Sequence, residues 1–520
     1  MNICCPLQRA KLIAALSILV FLNLLVYAQD KPTPQWRPVF HFTPLKNWTN
    51  DPNGLIYLNG VYHMYNQQNP FENKWGHMSW GHATSTDLVH WTHLPIAIPE
   101  TIDKDTTWRF SGCAVWDKNN TSGFCKNGGC FVAVYTADQP NLKKESQFIA
   151  YSNDGGMTYI NYSGNPVIDL QKRDFRDPNV SWNDELKRWV MVVSLPTDHK
   201  VRFYASDNLI EWQLLSEFGN AGYIDAAWEC PSLIQLPVEG SLQKKKWALL
   251  VSAAGAKKGV FMQYFTGEFS GGTFKNDNTS NTILTVDYGD CFYAAIPWND
   301  APDDKKILIG WMVPQSQKTD PWKGQMSIPR DLGLRETKEG LRLVQQPSSV
   351  IQNKLAELSG KAAVEINDLK MTDQEITINK NAVMGNSYWI DAELLVESGT
   401  TAGFRIAQLK DKNNKAISET EIGYDAVKHE IYVDRSRSGD DKIKKEDLRK
   451  FVSMTDESRT IKLKILFDKS SLEIFVNNGE KVLTTYVFSD VHSNGLSTFA
   501  TGGHASIKTM TIWDMSEIKK

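Results

Sequence analysis

The chain lacks an excess of either charge: 57 lysines and arginines stand against 60 aspartates and glutamates, a formal net charge of −3 in 520 residues. No strong overall field draws it to nucleic acid or to an anionic membrane, so a neutral partner fits better. Sustained helical periodicity is scarce from about Phe40 to Leu343, which argues against a helical bundle. Long apolar runs are confined to the amino terminus. There, Arg9 and Lys11 precede an apolar stretch from Leu12 to Leu25, and Val26-Tyr27-Ala28 leads into the polar Gln29-Asp30. This order predicts a signal peptide over residues 1–28 with cleavage after Ala28, and hence a secreted or periplasmic protein with no integral membrane span after cleavage. The alternative is a membrane anchor, for which the run is short.

Cysteine is scarce as well. Cys4 and Cys5 fall within the leader, leaving Cys113, Cys125, Cys130, Cys230 and Cys291. An odd number leaves at least one thiol free or paired with another molecule. Cys125 and Cys130 flank Asn127-Gly128-Gly129 and could close a small loop. No metal-ligand spacing is present, including among His63, His77, His82 and His90, so neither a metal nor a cofactor is expected.

Aromatics, by contrast, are plentiful: 17 tryptophans and 17 tyrosines. Flat amphipathic rings suit a β core and equally the apolar faces of sugars. Short β-prone runs such as Phe131-Val132-Ala133-Val134-Tyr135, Trp189-Val190-Met191-Val192-Val193 and Ile307-Leu308-Ile309-Gly310-Trp311 alternate with turn clusters. Apolar on both faces, they read as strands sandwiched between sheets. A weak echo recurs in Ser85-Thr86-Asp87-Leu88-Val89-His90-Trp91, in Ser152-Asn153-Asp154-Gly155-Gly156-Met157-Thr158-Tyr159 and in Ser206-Asp207-Asn208-Leu209-Ile210-Glu211-Trp212. Its interval is near that of four-stranded propeller blades.

A polar connector with a short helix through Ile351–Leu355 is expected over residues 345–360, dividing a first domain (36–344) from a second (361–517). In the second, Ile461, Leu463, Ile465 and Phe467 alternate with Lys462 and Lys464, the pattern of half-buried strands in a β-sandwich.

Three acids stand in similar settings: Asp51 in Trp48-Thr49-Asn50-Asp51-Pro52-Asn53-Gly54, Asp177 in Arg176-Asp177-Pro178-Asn179, and Glu229 in Trp228-Glu229-Cys230-Pro231. Proline fixes its own φ and biases its predecessor toward extended backbone, so each acid is expected at a strand end or tight turn, rigidly presented. A glycosidase needs one carboxyl to protonate the leaving oxygen and another to attack or to activate water. One acid of such a pair must be ionised and the other must carry a proton, so their environments have to differ: Asp51 has the amides of Asn50 and Asn53 beside it, and Glu229 has the sparsely solvating Trp228, Cys230 and Pro231.

The three motifs, in this order and at these separations, resemble glycoside hydrolase family 32, the invertases, inulinases, levanases and related β-fructosidases. The resemblance extends to Tyr62–Pro70, Trp75–His82, Arg109-Phe110-Ser111-Gly112, Phe292-Tyr293-Ala294-Ala295 and Gly310-Trp311-Met312, and into the second domain at Tyr432–Ser436 and Asp468–Val476. It implies an all-β chain, a five-bladed β-propeller followed by a β-sandwich. It also implies a retaining mechanism in which Asp51 is the nucleophile, Glu229 the acid/base and Asp177 a transition-state stabiliser. Asn50, Gln67, Trp75, Phe110, Ser111 and Arg176 match positions lining the fructose pocket, and Trp48 and Trp311 are expected with them. The implied partner is a fructan (levan or inulin) or sucrose. Thr49, Cys113 and Ile296-Pro297-Trp298 depart from the usual pattern and leave linkage preference open. Two other readings remain at this stage: a five-bladed propeller hydrolase acting on arabinan or xylan, and a non-catalytic carbohydrate-binding protein.

Overall fold

A computed structural model describes residues 34–518 apart from 103–105, 127, 242, 256–258, 316, 318, 379–384 and 456–457. The leader expected over residues 1–28 lies outside the described residues. Between residues 47 and 347, five antiparallel sheets follow one another along the chain. Their first strands are Asn47–Leu58, Trp108–Trp116, Arg176–Asn183, Ala227–Pro237 and Phe292–Pro297. These five strands touch in cyclic order, the last returning to the first, which makes the sheets the blades of a five-bladed propeller. Closure is by backbone. Asn47 and Trp48 pair in parallel with Trp322 and Lys323, while Asn299 donates its N–H to Leu55 O (2.9 Å) and accepts from Tyr57 N (3.0 Å).

Every first strand loses register near its start: between Thr49 and Pro52, Arg109 and Gly112, Arg176 and Asn179, Glu229 and Ser232, and Tyr293 and Ile296. A bulge of this kind re-aims a side chain out of the pleat. Pro178 and Pro231 fall in two of these gaps, where a missing N–H costs no ladder bond, and Pro52 stands where pairing resumes opposite Asn66. The acids therefore sit on or beside bulges near the starts of their strands, Asp177 and Glu229 close to the ends of Arg176–Asn183 and Ala227–Pro237 as expected and Asp51 further inside Asn47–Leu58. Asp177, Cys230 and Ala294 take left-handed backbone there (φ 65°, 47° and 50°). Gly112 is required where pairing resumes opposite Tyr135, since a Cβ would stand 2.1 Å from Val134 O.

The sequence echo corresponds to one turn repeated in the first three blades. The Ser85 hydroxyl accepts from Leu88 N (2.7 Å) and the Asp87 carboxylate from Val89 N and His90 N (3.0 and 2.8 Å). Asn208 caps Ile210 N and Glu211 N in the same way (3.0 and 2.8 Å), and Leu88 and Leu209 share φ 63°. Asp154 caps Met157 N and Thr158 N (3.1 and 3.0 Å). Side-chain oxygens that satisfy local N–H groups explain why this turn keeps its Ser-x-Asp/Asn chemistry.

One α-helix, Ser349–Ser359, follows the last blade, capped by the Ser348 side chain and burying Ile351 and Leu355. Beyond it a ten-stranded antiparallel sheet folds over itself as a sandwich. Its hinge is the long strand Gly495–Asp514. One edge of that strand pairs with Val364–Thr377; the other pairs first with Thr401–Lys410 and then with Ser387–Val396. Ile461, Leu463, Ile465 and Phe467 all face its core.

Propeller and sandwich are joined by a buried charge cluster. His41 contacts Asp468 through Nδ1 (2.9 Å) and Glu473 through Nε2 (3.0 Å), and Arg330 bridges Glu473 (2.6 Å) and Asp287 (3.0 Å). Asp468 also accepts from the backbone N–H groups of Val39, Phe40 and His41. Arg435 of the sandwich pairs with Asp290 of the propeller.

Candidate active site

The five bulges point into one end of the propeller axis and bring together side chains from all five blades. Asp51 is held on both oxygens: Asn50 Nδ2 donates to Oδ1 (3.0 Å), and Ser111 Oγ (2.6 Å) and Gln67 Nε2 (3.4 Å) donate to Oδ2. Gln67 also donates to Ser111. The indole N–H of Trp48 fixes Asn50 by donating to its Oδ1 (2.8 Å), and Trp311 packs edge-on against Trp48 at 5.8 Å between ring centroids. Asn53 does not serve Asp51 as expected. Its amide is oriented to donate to Pro52 O (3.0 Å) and to accept from Gln67 N (3.1 Å), so Ser111 and Gln67, supplied by other strands, take that part.

Glu229 is not surrounded by its sequence neighbours. Trp228 points the opposite way along the strand into the core between blades, its indole donating to Tyr223 O (2.8 Å). Arg176 instead donates to Glu229 Oε1 through Nε (3.1 Å) and Nη2 (2.9 Å), and the Tyr293 hydroxyl donates to Oε2 (2.6 Å). Both carboxylate oxygens are occupied by donors from neighbouring blades. Arg176 is anchored from behind by Glu145 (3.1 Å) and by Asp174 (2.9 Å). Burial works against its charge, but the carboxylates of Glu229, Glu145 and Asp177 win and hold the guanidinium charged more firmly than usual.

Asp177 is buried behind the other two. It accepts from Cys230 N (2.9 Å), while its own N–H donates to Thr136 Oγ1 (2.9 Å). The Cys230 thiol lies 3.6 Å from Asp177 Oδ2 and 3.7 Å from Asp51 Oδ2, so one sulfur touches both acids. Burial raises the Asp177 carboxyl; Arg176 opposes the shift, and Glu229 and Asp51 add to it as like charges. Burial likewise raises Asp51, against the hydrogen bonds from Ser111 and Asn50 and with a contribution from Glu229. Asp51 and Asp177 therefore both hold a proton more tightly than an exposed aspartate does, burial being the larger cause and neighbouring carboxylates adding to it.

Phe110, buried next to Ser111, is met by the ring of Trp75 at 6.0 Å, and Trp108 meets Trp75 at 5.3 Å. Trp75 is 52% exposed, a rim residue with a free face. No role was legible in the sequence for Tyr293, Glu145 or Thr136, and Cys230, expected only to keep water from Glu229, contacts Asp51 and Asp177. Tyr293 lay within a recognised motif, but Glu145 and Thr136 sit in strand hairpins with no local pattern to mark them. His63 and His82, 3.2 Å apart, are buried outside this group, and burial lowers them to about 4 and about 3.

The family model "Glycosyl hydrolases family 32 N-terminal domain" matches residues 41–347, and "Glycosyl hydrolases family 32 C terminal" matches residues 355–514. The chain belongs to glycosyl hydrolase family 32. It is similar to a levanase of Bacillus subtilis (strain 168), with 39% identity over 501 residues covering 93% of this chain and 71% of that protein. It is also similar to an extracellular exo-inulinase of Aspergillus awamori, with 36% identity over 535 residues covering 95% and 97%. The crystal structure of exo-inulinase from Aspergillus awamori superposes with a TM-score of 0.85 at 34% identity, covering 94% of this chain and 99% of that one. As a family 32 enzyme the chain is a glycoside hydrolase, and neither the arabinan or xylan reading nor the non-catalytic reading is favoured.

Proposed function

We propose that this enzyme releases fructose from the ends of β-fructofuranosyl chains, levan or inulin, and also cleaves sucrose, by double displacement. The observation that carries the reading is the meeting of Asp51 and Glu229 with Asp177 at one end of the axis, each held by donors from other blades. Asp51 attacks the anomeric carbon of the fructosyl unit. As the bond to the leaving oxygen breaks, Glu229 gives that oxygen its proton. The ester formed on Asp51 is then hydrolysed by a water that loses a proton to Glu229, restoring both acids.

Asp177 accepts hydrogen bonds from fructosyl hydroxyls and gains strength as positive charge grows on the ring. Asn50, Gln67, Ser111 and Arg176 orient the sugar and the acids; Trp48, Trp75, Phe110 and Trp311 offer aromatic surface to it. We further assign residues 1–28 to an export leader, 36–344 to the catalytic propeller, 345–360 to the connector and 361–517 to the sandwich. No helix among the described residues is long and apolar enough to cross a membrane.

The test is a time course of products from levan, inulin and sucrose with wild type, Asp51→Asn and Glu229→Gln. Fructose alone from the polymers, abolished in both variants, is expected. Short oligomers would overturn exo action, and full activity in either variant would overturn its role.

A further inference from the structure

The first strands of the blades enter the axis at the acids and leave it at the opposite end. There they and the following turns enclose a cavity of about 760 Å³, within the ~300–1,000 Å³ usual for small-molecule sites. Trp116 of the second blade, Trp182 of the third and Trp247 of the fourth line it, with Asn179, Ser181 and Gln235 among the polar groups. Each of these rings packs against another aromatic ring. Trp182, 42% exposed, meets Trp189 at 5.4 Å, and Trp189 in turn donates to Thr121 Oγ1 (3.0 Å). Phe269 meets Trp247 at 5.6 Å and Phe131 meets Trp116 at 5.3 Å.

This cavity is separate from the acids. Asn299 crosses the axis beneath them, its amide donating to Ala114 O (2.9 Å) and Val180 O (3.1 Å). Between the two ends lies a void of about 10 Å³ bordered by Asp177, Cys230 and Asn179, room for one water at most. The lining is also unsuited to anions: carboxylates outnumber lysines, and Lys245 and Lys306 are both engaged by Asp304 (2.5 and 2.7 Å). Partly exposed indoles beside amides and a hydroxyl, without cationic excess, suit a neutral sugar, whose C–H faces stack on rings while its hydroxyls find polar partners.

We propose that this cavity is a second carbohydrate site, holding a stretch of fructan chain on the face of the propeller away from the acids. The identity of the sugar rests on the proposed function; the site itself rests on the cavity and its tryptophans. Anchoring the chain here raises the local concentration of chain ends at the active site without changing the chemistry there.

The test uses the full chain carrying Asp51→Asn, so that polymer survives, in native gels containing levan, inulin, dextran or xylan. Retardation by levan or inulin is expected to weaken about tenfold on adding Trp182→Ala or Trp247→Ala. In the enzyme with Asp51 intact, Trp182→Ala should raise KM for the polymer while leaving kcat/KM for sucrose unchanged. Retardation by fructan that is the same in both tryptophan variants and their parent overturns the proposal, as does tryptophan-dependent retardation by dextran or xylan alone. If the wild type frees no fructose from either polymer while tryptophan-dependent retardation by fructan persists, the proposed function fails and the second site stands.

Discussion

Replacing Asp177 with asparagine should stabilise the folded protein at neutral pH while removing most of its activity, and the gain should itself depend on pH. The carboxyl is raised from 3.8 to about 8, burial being the largest cause. An acid raised in the fold binds its proton more tightly folded than unfolded, so stability is greatest at low pH and falls as pH rises between those two values. At pH 7 roughly three pH units of this window have been crossed, at about 1.4 kcal/mol each, a ceiling of about 4 kcal/mol. Asparagine keeps the acceptor for Cys230 N and carries no charge, but forgoes the attraction of Arg176. A net gain of about half the ceiling, ~2 kcal/mol, is several degrees in Tm. Tryptophan-fluorescence melts of wild type and Asp177→Asn, at one scan rate from pH 4 to pH 8, measure it. The difference should be near zero at pH 4 and widen toward pH 8, with kcat at pH 7 down by about 10²-fold or more. A difference independent of pH, or an asparagine variant less stable throughout, would refute the electrostatic reading of the site.

Other consequences are open to direct measurement. Tyr293→Phe removes the hydroxyl that donates to Glu229 Oε2 at 2.6 Å; a hydrogen bond to a charged group is worth about 1.5–3 kcal/mol, so kcat should fall by about tenfold and Tm by a few degrees. Arg330→Leu strands Asp287 and Glu473, both fully buried, and should cost about 3–5 kcal/mol, seen as a large fall in Tm. His41 is pushed up from 6.5 to about 9 by Asp468 and Glu473 even though burial opposes its charge. Its contribution is complete below pH 6.5 and is lost as pH rises through about 9, so wild type should lose more stability between pH 7 and pH 9 than His41→Gln does.

Much of the architecture is legible in the chain because its devices are local. The repeated turn works through the side chains of Asp87, Asp154 and Asn208 acting within a few residues, and such chemistry leaves a pattern. The prolines after Asp51, Asp177 and Glu229 mark the neighbourhood of each acid, yet they do not reveal a bulge, because a bulge is defined by the partner strand. The same limit governs the site. Trp228 is adjacent to Glu229 in sequence and faces away from it in the strand, whereas Arg176 and Tyr293, 53 and 64 residues distant, hold it. Glu145 anchors Arg176 from another blade, and His41 meets Asp468 across 427 residues. Those partners are fixed by closure of the ring and docking of the sandwich, which no window of sequence contains.

In the proposed double displacement Asp51 forms a bond to the fructosyl unit, and Glu229 is needed most when the leaving group requires a proton. Incubating Glu229→Gln with β-D-fructofuranosyl fluoride, whose leaving group needs little protonation, should let the first step proceed and slow the second. Mass spectrometry of the quenched, digested protein should then find one fructosyl unit on the peptide containing Asp51, absent when Asp51→Asn is added. A fructosyl unit on any other residue, or release of fluoride at the wild-type rate from the Asp51→Asn enzyme, would rule out Asp51 as the nucleophile.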